Sequence, residues 1–194
     1  IMELVGGISL DQLIAAGPAN IEPTLRFGMQ SLEALDYAHR QGVTHRDVKP
    51  ENIMVTTDGR VKLMDFGLAK ETKDPKLTQM GSVVGSVFYI SPEQARGSAD
   101  VDHRTDIYSF GAVLYELVTG RKPFCYENTY ALLQAAVSES PPPPLKIRPD
   151  IPVGLSNAIL RAMAKDPNAR FQTAEEFRLA LQSLALDSGA IVEA

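Results

Sequence analysis

The sequence predicts a mainly α (α+β) fold built around one core. Three observations carry that reading. Apolar residues recur at helical spacing after Asn20 and fill the run Ile107 to Thr119, and the one clear β pattern is a pair of short runs flanking Asp58-Gly59. Of 194 residues, 44% are hydrophobic and 22% charged, which is enough apolar surface to bury a single core and too little charge for a disordered chain. The balance of 19 Lys+Arg against 24 Asp+Glu, net −5 with a pI near 5.2, argues against a surface that coats nucleic acid or anionic lipid. Cys125 is the sole cysteine, so an internal disulfide or CxxC zinc framework is excluded, which suits a reducing compartment; the cytoplasm is expected. No run reaches the roughly 18 apolar residues of a membrane span. The longest, Ile107 to Val118, is interrupted by Glu116 and reads as a buried helix. The first residue is Ile1, with no basic-then-apolar leader, and the expectation is a piece of a longer protein.

Taken in order, Ile1 to Val5 read as the end of a strand that Gly6-Gly7 breaks. Ser9 caps a short helix through Ala16, ended by Gly17-Pro18. After Asn20 a longer helix follows, with Pro23 in its first turn and Leu25, Met29, Leu32, Leu35 and Ala38 or His39 on one stripe, stopping at Gly42. Ile53-Met54-Val55 and Val61-Lys62-Leu63-Met64 then form a β-hairpin, because Asp-Gly between two such runs is a strong turn signal. Antiparallel pairing brings Asn52, just before the first strand, next to Asp65, just after the second. Residues 68–105 show no sustained period, and a stretch of that length in a compact domain is usually functional. Ile107 to Thr119 is almost wholly apolar and forms the central helix, with Thr105 or Asp106 as N-cap and Gly120 as stop. Helices follow at about 129–138, 153–165 and 173–185. Pro141 to Pro144 read as a stiff surface loop rather than a polyproline ligand, since no basic residues flank them in register. Residues 187–194 read as a tail or the start of a linker.

The chemistry lies in His45-Arg46-Asp47-Val48-Lys49-Pro50-Glu51-Asn52, in Asp65-Phe66-Gly67 after a hairpin-length gap, and in Ser91-Pro92-Glu93 further on. In this order and spacing the three motifs resemble the catalytic loop, metal-binding motif and APE segment of the eukaryotic-type (Hanks-type) serine/threonine protein kinases. Ser91-Pro92-Glu93-Gln94-Ala95-Arg96-Gly97 is most similar to the bacterial branch. The resemblance implies a C-terminal kinase lobe over residues 9–186, with catalytic loop 45–52 and activation segment 65–93, behind a hinge remnant at 1–8. Everything N-terminal of the hinge is then expected to be missing: the Gly-rich loop, the lysine and its partner glutamate. On that expectation the isolated chain is nearly inactive, and its natural partner is the absent N-terminal lobe of its own parent, which an outside segment could anchor to a membrane.

The residues support this chemistry independently of the family. A hard divalent cation bridging nucleotide phosphates wants oxygen ligands and keeps its waters, so Asn52 and Asp65 suit Mg²⁺, with Mn²⁺ as the alternative ion. Asp47 can accept a hydrogen bond from a substrate hydroxyl and orient it for in-line attack on the γ-phosphate of ATP. Lys49 resembles the cation that Ser/Thr-directed kinases place near that phosphate, where negative charge develops. By the same resemblance Glu3 and Val5 offer backbone groups to adenine, Ser9 lies near the ribose, and Met54 lies beneath the base. Ser86 stands where the family has a threonine that bonds the catalytic Asp and Lys. Thr78 and Ser82 are candidate regulatory phosphorylation sites, with Arg46 as the pairing cation. The remaining roles are structural: His45 beneath Phe66, Gly67 in the metal motif, Asp106 on the catalytic-loop backbone, and Glu93 paired with Arg170. The substrates implied are proteins bearing Ser or Thr, with no nucleic acid involved. Two competing readings are a non-catalytic docking module derived from a kinase and a small-molecule phosphotransferase of the aminoglycoside or choline type. The second is opposed by Asp65-Phe66-Gly67, Ser91-Pro92-Glu93 and Lys49.

Overall fold

A computed structural model describes residues 6–66 and 86–187 of the chain. Among these, three short strands and eight helices surround one core. The strands are β1 (Gly7–Ser9), β2 (Ile53–Thr56) and β3 (Val61–Leu63). The helices are α1 (Leu10–Ala15), α2 (Ile21–Arg40), α3 (Pro92–Ala95), α4 (Arg104–Thr119), α5 (Thr129–Ser138), α6 (Pro144–Ile147), α7 (Val153–Ala162) and α8 (Ala174–Asp187). No helix among the described residues is long and apolar enough to cross a membrane.

Helix α4 is the axle. Every residue from Thr105 to Thr119 is buried, so the helix is apolar on all sides and must be covered all round. It packs against α1, α2, α6 and α7, and α2 lies in turn along α8. Gly120 ends α4 in the left-handed region, φ 68°, where a Cβ is strained and glycine is not. On α2 the buried face includes Leu25, Leu32, Leu35 and Ala38, while Met29 is half-buried.

Several elements differ from the sequence expectation, each for a physical reason. Gly7 opens β1, which pairs antiparallel with β2 in the register Gly7↔Thr56, Ile8↔Val55 and Ser9↔Met54, so the hairpin is part of a three-stranded sheet ordered β1-β2-β3. A Cβ on Gly7 would lie 2.3 Å from the Val55 carbonyl oxygen, and glycine is what permits that approach. Helix α4 begins at Arg104, not beyond Asp106: the side chain of Asp102 takes the Arg104 N–H at 2.8 Å, leaving the Asp106 carboxylate inside the first turn and free for another use. The 68–105 stretch, where described, holds a 3-10 segment at Ser86–Tyr89 and helix α3.

The proline run is not simply a surface loop. Pro141 and Pro144 are buried, Pro144 opens α6, and Tyr115 Oη donates to the Pro142 carbonyl at 3.0 Å. Helix α7 stops at Ala162, short of 165, because Asp166-Pro167 disfavours helix before the ring and Arg170 takes the carbonyls of Ala164 and Lys165. Cys125 is exposed and free.

Candidate active site

The hairpin and the loop before it set the geometry. Ile53 and Val55 of β2 point into the core, and Met54 faces the other way, paired across the sheet with Ser9 on β1 and Lys62 on β3. Ser9 and Met54 therefore share one face of the sheet. At the open end of the hairpin the Met64 N–H donates to the Asn52 carbonyl at 2.8 Å, which brings Asp65 to the residue just past Asn52's partner. Asp65 is exposed and has φ 53°, a left-handed conformation for a residue with a side chain.

The catalytic-loop residues are held by groups from three elements. Asp106, fully buried on α4, receives the backbone N–H of His45 on Oδ2 and of Arg46 on Oδ1, both at 2.8 Å. Its Oδ2 also bonds His39 Nε2 of α2 at 2.8 Å. A buried carboxylate is expensive unless its oxygens are occupied, and these three bonds occupy them. His45 is itself buried. Its Nε2 bonds the Met64 carbonyl at 2.8 Å and its Nδ1 accepts the Asp47 N–H at 3.3 Å, an arrangement that one tautomer, protonated on Nε2, satisfies in full. Its ring lies 4.7 Å from that of Phe66. One imidazole thus ties the loop carrying Asp47 to the strand end carrying Asp65.

Asp47, Lys49 and Asn52 form a connected cluster. Lys49 Nζ donates to Asp47 Oδ2 at 2.9 Å, and Asn52 Nδ2 donates to the Asp47 carbonyl at 2.9 Å and to Oδ2 at 3.4 Å. With Nδ2 committed to Asp47, Oδ1 is the Asn52 atom left to ligate a cation. Among the described residues no group of three or more His, Cys, Asp or Glu could form a metal cage. The donor set is instead two oxygen-bearing side chains at one hairpin end, which fits an ion that takes its other ligands from phosphates and water. A groove of about 990 Å³ lies between α2 and β3, with Asp65 and Phe66 at its edge. Asp47, Lys49 and Asn52 do not line it, so it is not where the cluster acts.

Behind the loop, the 86–95 segment is fastened to the helical core. Glu93 and Arg170, both buried, form a two-pronged pair with both N–H···O distances 2.8 Å. Burial alone would favour the neutral acid, but the Arg170 hydrogen bonds and charge hold the Glu93 carboxyl below its usual range. Ser91 Oγ and Thr105 Oγ1 are 2.6 Å apart, and Tyr89 Oη donates to Glu116 on α4. Burial first, and then Glu116, push the Tyr89 phenol far above its ordinary value.

Of the residues singled out from sequence, the structure brings together His45, Arg46, Asp47, Lys49, Asn52 and Asp106, sets Asp65 and Phe66 at the adjoining strand end, and joins Glu93 to Arg170. Ser86 opens the 3-10 segment. Glu3, Val5, Gly67, Thr78 and Ser82 lie outside the described residues. Sequence reasoning placed His39 only on a buried stripe and missed its bond to Asp106. It also missed Gln94, whose Nε2 donates to the Arg46 carbonyl at 2.9 Å. The Ser-x-x-Gln spacing of residues 91–94 signals a capping box but says nothing of a partner 48 positions away.

Comparison with known proteins agrees with this geometry. The family model described as the protein kinase domain matches residues 1–178. A probable serine/threonine-protein kinase of Clostridium acetobutylicum is 42% identical over 177 residues, covering 91% of this chain and 27% of the relative. The serine/threonine-protein kinase PknB of Mycolicibacterium smegmatis is 41% identical over 181 residues, 92% of this chain and 29% of the relative. A probable serine/threonine-protein kinase of Streptomyces coelicolor is 41% identical over 186 residues, 94% and 28%. The chain spans less than a third of the length of these curated relatives.

Proposed function

The chain belongs to the protein kinase domain family, and from that premise we propose that it supplies the catalytic loop and metal-side residues of a bacterial-type serine/threonine protein kinase. The reaction is transfer of the γ-phosphate of ATP to Ser or Thr hydroxyls of protein substrates. The observation that supports it most is the Asp47-Lys49-Asn52 cluster, with Lys49 and Asn52 both bonded to Asp47, set beside the strand end that carries Asp65.

In this reading Asp47 accepts the hydrogen bond of the incoming hydroxyl and takes its proton as the new O–P bond forms and the bond to the leaving ADP oxygen breaks. Lys49, held at 2.9 Å from Asp47, places a positive charge where the transferred group gathers negative charge. Asn52, through Oδ1, and Asp65, through its carboxylate, would hold the divalent cation. The family uses ATP with a divalent metal in general; we assign Mg²⁺ here, with Mn²⁺ as the substitute, since two oxygen donors leave room for phosphate and water ligands. Such an ion would supply positive charge to offset that of the nucleotide phosphates. Ser9 and Met54, on one face of the sheet, form the nucleotide's lower wall near ribose and base, and Glu3 and Val5 meet the adenine edge. Arg46, exposed beside Asp47, is the cation for a phosphate on Thr78 or Ser82. The need for ATP puts this domain in the cytoplasm.

The test is metal dependence. In the complete reading frame that contains this sequence, Asp65→Asn should raise the Mg²⁺ concentration for half-maximal phosphoryl transfer at least tenfold without lowering the melting temperature. An Mg²⁺ requirement identical to wild type removes Asp65 from the metal site and with it the assignment of this cluster.

A further inference from the structure

We propose that Gln94 is a positioning residue for Asp47: from α3, its side-chain amide fixes the peptide plane between Arg46 and Asp47. The inference rests on the kinase reading above, and it links the segment that begins at Ser86 to the catalytic loop by a single side chain.

Arg46 has φ 65°, in the left-handed region. A residue with a Cβ stays there only when its surroundings impose it. The surroundings are visible on both sides. The Arg46 N–H is held by Asp106 Oδ1 at 2.8 Å. In the next peptide, the Asp47 N–H goes to His45 Nδ1 at 3.3 Å and the Arg46 carbonyl receives Gln94 Nε2 at 2.9 Å. Both polar groups of that peptide are therefore occupied, and the orientation of its plane sets where the Asp47 Cα–Cβ bond points. The His45 contact is the longer of the two, so Gln94 provides the tighter hold.

Gln94 has a second task that makes the first separable. It is the third residue of α3, and its Oε1 accepts the Ser91 N–H at 3.2 Å and Ser91 Oγ at 3.1 Å, while its own N–H donates to Ser91 Oγ at 3.3 Å. This is a reciprocal capping box. The Ser91 N–H can only donate and the Arg46 carbonyl can only accept, so the amide has one orientation, Oε1 toward the Ser91 N–H and Nε2 toward Arg46. Glutamate satisfies the capping box equally well but has no hydrogen to give Arg46. Gln94→Glu therefore removes the clasp and keeps the helix start.

The experiment compares wild type, Gln94→Glu and Gln94→Met in the complete protein by kcat, KM for ATP and melting temperature, together with amide hydrogen exchange at residues 45–48. For Gln94→Glu the expected result is kcat lower by about three- to tenfold, the size of one lost hydrogen bond, with KM for ATP and melting temperature unchanged. Exchange at Asp47 should be faster. Gln94→Met, which keeps the shape but neither bond, should show the same kcat loss with a lower melting temperature. Wild-type kcat and wild-type exchange in Gln94→Glu overturn the proposal, as does a kcat loss that only tracks lost stability. If wild type transfers no phosphate, the kinase reading fails instead, and the exchange rates alone decide whether Gln94 holds the loop.

Discussion

Replacing Arg170 with methionine is the sharpest test of how the site is braced. The guanidinium is 1% exposed, and each of its five N–H groups has an acceptor. Two go to the Glu93 carboxylate, and the others to the carbonyls of Ala164 at 2.8 Å, Arg104 at 2.9 Å and Lys165 at 3.4 Å. Methionine fills much of the volume but takes five donors away from a buried carboxylate and three carbonyls. Breaking a buried pair by removing one partner costs about 3–5 kcal/mol, and at about 2–4 °C per kcal/mol for a chain of this size the melting temperature should fall by roughly 6–20 °C. The sign of the pH dependence follows from Glu93, whose folded carboxyl titrates below its ordinary value of 4.5. The pair's stabilisation is complete above that value and is lost as pH falls through the lower, folded one. Urea denaturation should therefore show a wide gap between wild type and Arg170→Met at pH 7 that narrows in acid. A gap below about 1 kcal/mol at neutral pH, less than a buried pair allows, refutes the reasoning, and so does a gap that stays constant on acidification.

Other outcomes follow from the same contacts. Asp106→Asn puts an amide donor against one of three donors that now share the carboxylate, and should cost about 1.5–3 kcal/mol in urea titrations with faster amide exchange at His45 and Arg46. Lys165 packs its ammonium 4.7 Å from the Phe124 ring centre and bonds the Ala136 carbonyl at 2.7 Å. Burial, then the charge of Arg170, lowers it from 10.5 to about 8. Between those values the unfolded chain binds more protons than the folded one, so wild-type stability should gain a rise with pH across that window. Lys165→Met should lack that contribution when urea midpoints at pH 8 and 9.5 are compared, and an equal rise in the variant contradicts the assignment.

How much of this was legible in the sequence depended on whether a signal was local. Helix α4 was legible because thirteen nearly unbroken apolar residues, Ile107 to Thr119, admit only a buried helix. The hairpin was legible because Asp58-Gly59 and the two flanking runs are contiguous, and its open end put Asn52 beside Asp65 by geometry alone. Strand β1 was not legible. Gly7 reads locally as a breaker, and only its partner Thr56, far along the chain, turns it into a point of close approach. Asp106 reads locally as an N-cap, yet His103 is the N-cap of α4 and the Asp106 carboxylate receives the N–H groups of His45 and Arg46 instead. Pro141 and Pro144 look solvent-bound by composition, yet both are buried, and Pro144 opens α6. Long-range hydrogen bonds such as Gln94 to Arg46 leave no periodic trace, and the bracing that was read in advance, Asp106 on the loop backbone and Glu93 with Arg170, came from the family resemblance and not from any local pattern.

In the proposed reaction Asp47 handles the proton of a substrate hydroxyl. The most direct measurement is phosphoryl transfer from ATP to a Ser/Thr protein substrate by the complete protein and its Asp47→Asn variant, with KM for ATP and melting temperature followed in parallel. Loss of a positioned general base lowers kcat by about 10²–10⁴-fold, and Asp47→Asn should show a fall of that size with KM for ATP and stability near wild type. A variant that still transfers phosphate at the wild-type rate contradicts it.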